Sequence, residues 1–453
     1  MKLQFLGATG TVTGSKYLLQ NQSGHTLVDC GLFQGFKQLR LRNWSALPIA
    51  PARIDRVILT HAHIDHSGYL PLLVRQGFSG PVYCTSATRD LCEILLMDSA
   101  KLQEEEADFA NRHSFSKHKP ALPLYDRHDA QRALRQLKVV EMGHKLTLDA
   151  DTAFHFEPSG HILGSAFICL ESEGRHIVFS GDLGRPHDLV MSAPSIIQRA
   201  DYLLIESTYG NRSHAQTDVL EQLAEVINRT HHRGGKVIIP TFAVGRTQSL
   251  LYCFHLLKQR GMIDAALPIY LNSPMAQEAT RIFQQHPGEY RLTEKEVEGM
   301  CRDVKVITDI EESKWINTVK TPMILMAGSG MATGGRIVHH LKQFAPDPKN
   351  TILFTGFQAG GTRGAAMLDG MKEIKIHGEY YPVNAEIALV DNLSAHADAS
   401  EIIGWLSHFQ KPPRRTFITH GEPIAADALR MRIEEQLQWE IYLPDYMESV
   451  ELA

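Results

Sequence analysis

The chain has 453 residues, of which 43% are hydrophobic and 21% charged, and its formal net charge is −5. This length predicts two or three domains with a large core, and the charge gives no global argument for a nucleic-acid partner, so such binding needs a local basic groove. No apolar run approaches the roughly 20 residues that cross a bilayer and the N-terminus has no signal-peptide pattern, so we expect a cytoplasmic protein with no membrane partner.

The first half of the chain predicts short strands separated by turns. These strands are Leu3–Leu6, Lys16–Leu19, Thr26–Asp29, Arg56–Thr60, Ala153–Phe156, Ala166–Leu170 and His176–Ser180. Apolar residues at helical spacing predict helices over Leu70–Gln76 and Ala87–Phe109, and the polar, histidine-rich segment Asn111–His128 predicts an exposed excursion.

From about Tyr209 strands and helices alternate, which predicts a mostly parallel sheet with crossover helices. The pairs are Val237–Ile239 with Gly245–Arg260, Ile269–Leu271 with Met275–Gln285, and Met323–Met326 with Gly334–Phe344, followed by the strand Ile352–Phe354. After Val383 the strand-and-loop pattern returns at Glu386–Val390 and Thr416–Thr419. We therefore expect one domain formed by residues 1–208 and 384–453, interrupted by an α/β domain at residues 209–383.

The strongest local signal is the segment Thr60–His66, which follows an apolar strand. His61 and His63 point the same way on an extended chain and can reach one ion, and Asp65 and His66 can reach a second. Imidazole and carboxylate ligands at this density suit zinc, with manganese or iron as alternatives. The competing interpretation is a polar loop with chance histidines.

Three other strand ends each deliver one residue of a metal-ligand type into a glycine-containing loop. His161 follows the strand at Ala153–Phe156, Asp182 follows the strand at His176–Ser180, and His420 follows Thr416–Thr419. Each alone is more simply a surface histidine or a turn aspartate. Together with the Thr60–His66 segment they form a ligand set. The six cysteines are scattered without a C-x-x-C pair, so we expect free thiols and no cysteine zinc site.

The chain contains His-x-His-x-Asp-His, then a lone His, a Gly-Asp and a late His. This order of motifs resembles the metallo-β-lactamase superfamily. The resemblance implies an αββα sandwich with two metals at one edge of its sheets. It implies that His61, His63 and His161 hold one zinc, that Asp65, His66 and His420 hold the other, and that Asp182 bridges both, with a hydroxide between the metals. Asp29 matches the first motif of the family and is expected to orient the histidine loop from behind.

Two further motifs resemble the β-CASP branch, which acts on nucleic acids and carries an inserted Rossmann-like α/β domain. They are Ile205–Gly210, which contains Glu206, and Leu393–Asp398, which contains His396. In that branch a histidine at the last motif is typical of RNA-directed members, and here that residue is His420. The resemblance is to bacterial and archaeal ribonucleases akin to the endonuclease of pre-mRNA 3′-end processing, which implies an endonuclease with exonuclease action left open. We expect Asp65, Asp182, Glu206 and His396 to be the catalytic residues.

Glu206 and His396 are expected to act as a pair, because a nearby carboxylate raises the pKa of an imidazole. A protonated His396 can then donate to the scissile phosphate or to the leaving 3′-oxygen. The alternatives are structural: Asp398 or Ser400 can cap the following helix without any role for His396, and Glu206 can be a solvated acid at a strand end.

Three loops that combine glycine with arginine occur in the inserted domain, and we expect them to contact RNA phosphates. The candidate residues are Arg246, Ser329, Gly330, Arg336 and Arg363. The alternative for each arginine is a charge on a helix surface. The glycine spacing at residues 7–14 and 328–335 does not fit nucleotide-binding motifs, so no nucleotide cofactor is expected.

The sequence therefore predicts a ribonuclease with two Zn²⁺ or Mn²⁺ ions per chain that acts on single-stranded RNA, and it leaves homo-oligomerisation open. Two alternatives remain: a hydrolase of small esters or thioesters that uses the same metal core, and a non-catalytic RNA-binding protein.

Overall fold

The computed structural model describes residues 1–113, 116–214 and 217–453. Its strands are β1 Lys2–Phe5, β2 Tyr17–Asn21, β3 Gly24–Val28, β4 Arg56–Ile58, β5 Val82–Cys84, β6 Leu137–Val139, β7 Leu146–Thr147, β8 Thr152–Pro158, β9 Ala166–Ser172, β10 Arg175–Phe179, β11 Tyr202–Glu206, β12 Val237–Pro240, β13 Ile269–Asn272, β14 Lys305–Val306, β15 Ile324–Ala327, β16 Thr351–Phe354, β17 Glu373–Ile376, β18 Glu379–Pro382, β19 Glu386–Leu389, β20 Arg415–Thr419, β21 Ile441–Tyr442 and β22 Ser449–Glu451.

The helices are α1 Lys37–Arg42, α2 Ile64–Ser67, α3 Leu70–Arg75, α4 Ser86–Arg112, α5 Arg127–Leu134, α6 Val219–His232, α7 Arg246–Gln259, α8 Pro274–Gln285, α9 Glu294–Arg302, α10 Ile310–Ile316, α11 Arg336–Phe344, α12 Arg363–Leu368, α13 Ala399–Leu406 and α14 Pro423–Leu437. Short 3₁₀ turns occupy Pro51–Arg53 and Asp391–Leu393. None of the helices within the described ranges combines the length and the apolar character that a bilayer crossing requires.

The chain divides into two compact units. The first comprises Met1–Asp188, Ser192–Ser213 and His396–Ala453, and the second comprises Leu189–Met191 and His214–Ala395. The segment predicted as an exposed excursion, Asn111–His128, includes residues 114 and 115, which lie outside the described residues. Within that segment α4 ends at Arg112 and α5 begins at Arg127.

Two seven-stranded sheets form the first unit, in the orders β22-β1-β2-β3-β4-β5-β6 and β21-β20-β11-β10-β9-β8-β7. Along strands such as β8, buried residues that face the other sheet alternate with residues that face away from it. The inward-facing residues of the two sheets enclose a core that contains Phe5, Phe154 and Phe156. The outer side of the second sheet packs against α13 and α14 through residues such as Trp405 and Leu429. This layering is the predicted αββα sandwich.

The second unit contains a six-stranded sheet in the order β14-β13-β15-β12-β16-β19, whose neighbouring strands are all parallel. Its central strands are buried over their whole length, which matches the continuous apolar runs of a parallel sheet covered by helices on both faces. A two-stranded hairpin, β17–β18, lies outside this sheet. The predicted α/β insertion is therefore present.

One strand lies in a different unit from the one that the sequence pattern suggested. The division at residue 383 assigns Glu386–Leu389 to the final segment of the first domain, but this strand pairs in parallel with β16 in the six-stranded sheet. The reason is that parallel pairing is a non-local contact, and a short strand followed by a loop does not reveal which sheet it joins. The chain returns to the first unit at His396.

Candidate metal centre

Strand ends deliver the candidate ligands to one edge of the sandwich. The Thr60–His66 segment follows β4 and turns into α2, Asp182 follows β10, and His420 follows β20. His161 lies in the turn between β8 and β9. Because β10, β11 and β20 run parallel to one another, their carboxyl ends open on the same side, which explains why distant parts of the sequence meet here.

The first cluster joins His61, His63, His161 and Asp182. His63 Nδ1 lies 3.1 Å from His61 Nε2 and 3.3 Å from His161 Nε2. Asp182 Oδ2 lies 3.5 Å from His61 Nε2 and 3.3 Å from His161 Nε2. Three imidazole nitrogens and one carboxylate oxygen therefore face a common point, which is the donor set of a tetrahedral zinc site.

The second cluster joins Asp65, His66 and His420, with Asp182 beside it. His420 Nε2 lies 3.2 Å from His66 Nε2 and 3.4 Å from Asp65 Oδ2. The other oxygen of Asp182, Oδ1, lies 3.2 Å from His66 Nε2. Each oxygen of Asp182 thus faces one of the two clusters, which is the arrangement expected of a bridging carboxylate.

The chemistry of these donors fits a pair of cations. Asp182 Oδ1 is buried and makes no hydrogen bond to any described residue. Burial lowers the pKa of His61 well below its ordinary value, which favours the neutral, ligating form. Burial also disfavours charge on His66, but the carboxylates of Asp182 and Asp29 raise its pKa above the ordinary value. A cation between these groups would displace the proton that His66 would otherwise hold.

Three histidines are oriented from behind by protein oxygens. His66 Nδ1 donates to Asp29 Oδ2 at 2.7 Å. Thr60 Oγ1 donates to the same carboxylate at 2.9 Å and accepts from His61 Nδ1 at 3.0 Å. Thr208 Oγ1 lies 3.1 Å from His420 Nδ1. With a proton on Nδ1, each of these rings directs the lone pair of Nε2 into the clusters.

Thr60 and Thr208 are supporting residues that the sequence reasoning missed. Thr60 also fixes the loop through its backbone N–H, which donates to Asp29 Oδ1 at 2.7 Å. Their positions beside His61 and within the Glu206 motif were visible in the sequence. A hydroxyl at a strand end is too common to be assigned this role without the fold.

Glu206 and His396 lie next to the first cluster and contact each other. His396 Nδ1 is 2.9 Å from Glu206 Oε1, and the same nitrogen is 4.0 Å from Asp182 Oδ2. Burial opposes charge on the imidazole, yet the carboxylate of Glu206 and its hydrogen bond raise the pKa of His396 to about 9. Glu206 is itself buried and accepts from the backbone N–H of Leu183 and of Thr208.

The structural alternative for this region is also present, because Asp398 caps α13 by accepting from the backbone N–H of Ser400 and Glu401. That cap does not involve the imidazole of His396, so the two roles coexist. Glu206 has 1% of its surface exposed and is therefore not a solvated acid at a strand end.

Within the second unit, the three predicted glycine-arginine loops lie at the carboxyl ends of β12, β15 and β16. The guanidinium of Arg246 donates to Thr355 O. The guanidinium of Arg363 donates to Thr333 O at 2.8 Å, and the guanidinium of Arg336 donates to Asn272 Oδ1 at 2.5 Å. Gln358 Nε2 donates to Gly330 O at 3.1 Å. The arginines therefore tie strand ends and loops together.

Ser329 lies in the same set of loops, where its Oγ accepts from the backbone N–H of Thr333 at 3.1 Å. The candidate phosphate-binding residues are thus brought together within the second unit. All three guanidiniums donate to acceptors of the protein.

Comparison with known proteins agrees with this geometry. Residues 9–222 match the metallo-β-lactamase superfamily, residues 247–367 match the Beta-Casp domain, and residues 380–444 match a Zn-dependent metallo-hydrolase RNA specificity domain. The chain is 38% identical to Ribonuclease TTHA0252 of Thermus thermophilus over 93% of each chain. It is 32% identical to Transcription termination factor FttA of Pyrococcus abyssi, over all of this chain and 71% of that one.

A solved structure of a protein of unknown function from Enterococcus faecalis V583 has the same fold, with a TM-score of 0.56 and 13% identity over 100% of this chain and 99% of that one. The fold and the site define a metal-dependent hydrolase of the metallo-β-lactamase superfamily. Within that superfamily the chain belongs to the β-CASP ribonuclease family. The predicted family, fold class and enzyme class are confirmed.

Proposed function

We propose that this protein hydrolyses phosphodiester bonds of single-stranded RNA with a pair of zinc ions held at the edge of the sandwich. The observation that carries the proposal is the sharing of Asp182 between two clusters of metal-binding side chains, with one carboxylate oxygen facing each. Relatives named as a ribonuclease and an RNA specificity domain support RNA as the substrate.

The first ion would be held by His61, His63 and His161 and the second by Asp65, His66 and His420, with Asp182 between them. When bound, a pair of divalent cations activates water and stabilises the negative charge that develops on the phosphate. The number and identity of the ions belong to this proposal, with Mn²⁺ as the alternative metal. Asp29, Thr60 and Thr208 hold the histidine rings so that the ligand nitrogens stay directed inward.

His396 and Glu206 supply the proton chemistry. Glu206 fixes Nδ1 of His396, so Nε2 is the nitrogen that can donate to the substrate. Water adds to phosphorus and releases a proton to solvent, and the bond to the 3′-oxygen breaks. The His396 proton moves to that oxygen or hydrogen-bonds to the phosphate, and solvent reprotonates the imidazole after transfer. Asp65 and Asp182, with these two residues, complete the proposed catalytic set.

The loops of the second unit would contact the RNA backbone through Arg246, Ser329, Gly330, Arg336 and Arg363. The support is the convergence of three loops at the carboxyl edge of a parallel sheet, where backbone N–H groups and guanidinium groups are of the kind that binds phosphate oxygens. We further propose a cytoplasmic location, in keeping with six free cysteines. Self-association is open to measurement.

The direct test compares 5′-labelled and 3′-labelled single-stranded RNA after incubation with the zinc-loaded protein. Labelled fragments of intermediate length from both RNAs indicate endonuclease action. Labelled single nucleotides from only one of the two RNAs indicate exonuclease action from that end. Intact RNA together with turnover of a thioester would replace the proposal with a small-ester hydrolase. Intact RNA that is bound but never cut with zinc or manganese would make the protein a non-catalytic binder.

A further inference from the structure

A short surface segment of the first unit, Phe36–Trp44, carries an unusual group of exposed apolar side chains. Phe36 is 55% exposed, Leu41 is 54% exposed and Trp44 is 61% exposed. The segment contains α1, and no residue of that helix is buried. Three large apolar groups so close together on the surface cost solvation free energy unless something covers them.

The same surface is locally basic in a chain whose net charge is negative. Residues 30–54 contain Lys37, Arg40, Arg42 and Arg53 and no aspartate or glutamate. None of these four cations forms an ion pair with any residue in the described ranges. Their charge is therefore not neutralised within the protein, which favours an anionic partner.

Helical spacing places the two kinds of side chain beside each other. Phe36 and Arg40 are four residues apart, as are Lys37 and Leu41, and Trp44 follows Leu41 by three. The backbone N–H of Arg40 donates to Phe36 O at 3.0 Å, and the backbone N–H of Trp44 donates to Leu41 O at 3.1 Å. The helical course of the backbone therefore extends over the whole segment. Aromatic rings interleaved with cations are the chemistry of a surface that stacks bases and attracts phosphates.

The segment is fixed to the fold at its inner side. Asn43 Nδ2 donates to Phe33 O at 2.8 Å, and Asn43 Oδ1 accepts from the backbone N–H of Phe33 at 2.9 Å. The guanidinium of Arg42 lies 4.0 Å from the ring centroid of Tyr446. These contacts hold α1 in place and leave Phe36, Lys37, Arg40 and Trp44 turned to solvent.

The anchoring loop also runs along the candidate metal centre. The backbone N–H of Leu32 donates to Ile64 O at 2.9 Å, and that of Cys30 donates to His66 O at 2.7 Å. The loop that carries Phe33 therefore backs the segment that contains Asp65 and His66. The same loop thus contacts the candidate metal-binding segment and, through Phe33, anchors the residue that follows α1.

We propose that Phe36–Trp44 is a platform for single-stranded RNA, on which bases stack against Trp44 and Phe36 while Lys37 and Arg40 contact phosphates. This inference rests on the proposed function, because it assumes that RNA is the substrate. A duplex hides its base faces, so the exposed rings favour a single strand. The unneutralised cations favour RNA over an apolar protein surface.

The first experiment measures the affinity for a fluorescent 20-nucleotide RNA by anisotropy, in a His396→Ala background to limit cleavage. Trp44→Ala should weaken binding by about 5- to 100-fold, the range of a lost base-stacking contact. Trp44→Tyr should recover most of the affinity, because a ring remains. Met431→Ala removes another exposed apolar side chain, on α14, and should leave the affinity unchanged.

The second experiment measures the salt dependence of binding. Replacing Lys37 and Arg40 by glutamine should reduce the slope of log Kd against log salt by about 1.4, since each phosphate contact to a single strand contributes about 0.7. In the wild-type background, hydrolysis of bis(p-nitrophenyl) phosphate should be the same in all platform variants. That substrate is too small to reach the platform, so it reports the metal site alone.

The outcomes separate this inference from the proposed function. If wild-type protein hydrolyses RNA but Trp44→Ala and the double glutamine variant bind it within twofold of wild type, the platform is wrong and the function stands. If the variants bind RNA normally but lose self-association in light scattering, the surface is a protein interface and the inference is overturned. A wild-type protein that neither binds nor cuts RNA removes both.

Discussion

At the scale of single residues, the site depends on which nitrogen of each imidazole is free. Protein oxygens contact Nδ1 of three of the rings, from Asp29 to His66, from Thr60 to His61 and from Thr208 to His420. In each of these rings Nε2 is the nitrogen left to face the clusters, where it would bind a metal. His63 is the exception, since its Nδ1 faces both His61 and His161. A substitution at His63 therefore removes one ligand without removing an orienting contact.

We expect His63→Ala to abolish RNA cleavage and to lower the zinc content by about one ion per chain, because one cluster loses a ligand. Zinc content is measured by atomic emission on protein dialysed against a metal-buffered solution. His128→Ala removes an exposed histidine on α5 and serves as the matched control. A fully active His63→Ala protein with wild-type metal content would refute the assignment.

His396→Ala is expected to keep the metals and to slow cleavage by about 10²-fold or more, the usual size of a lost proton-transfer group. The loss should fall on kcat, with KM nearly unchanged, because the imidazole acts in the transition state. Glu206→Gln should show a smaller defect of the same kind, since it weakens the contact that charges His396. Turnover equal to wild type would exclude His396 from the mechanism.

At the scale of elements, the site is assembled by loops that pack too closely to tolerate added atoms. A Cβ added at Gly31, in the loop after β3, would lie 1.6 Å from Asp65 O. At that distance the backbone of Asp65 and His66 must move. The glycine is thus part of how the metal loop is positioned.

Gly31→Ala is expected to lower metal content and thermal stability together, whereas Gly404→Ala in α13 should do neither. The added methyl group at Gly404 meets no atom within 4 Å, and alanine favours a helix over glycine. Circular dichroism melting and metal analysis on both variants make the comparison. Normal metal content in Gly31→Ala would show that the close packing is not needed for the site.

The candidate ligands can be picked out from the sequence because each motif is local, a strand end followed by one or a few residues of a metal-binding type. They do not predict what depends on distant packing. The pairing of β19 with β16 is one case. Another is the hydrogen bond from Arg336 to Asn272, since no local pattern tells a guanidinium that holds the protein together from one that holds a phosphate.

At the scale of the whole molecule, both sheets of the first unit deliver candidate ligands to the same edge. His61 to His66 follow the first sheet, while His161, Asp182 and His420 follow the second. Bound cations would therefore tie the two sheets together. Their removal leaves five imidazoles and two carboxylates buried or half-buried without their partner.

Chelation of the metals should lower the melting temperature of the protein by about 5 to 10 °C, since free zinc at 100-fold above its Kd stabilises by about 2.7 kcal/mol. Differential scanning calorimetry with and without a chelator measures the shift, and added zinc should reverse it. A melting temperature independent of metal would mean that the sandwich edge is stable without cations.

The most direct test of the account is anomalous diffraction at the zinc absorption edge from crystals grown with zinc. We predict two peaks at ligand distances of about 2.0–2.2 Å, one among His61, His63, His161 and Asp182 and the other among Asp65, His66, His420 and Asp182. A single peak, peaks bounded by other residues, or no peak in metal-replete crystals would contradict the shared role of Asp182 on which the mechanism depends.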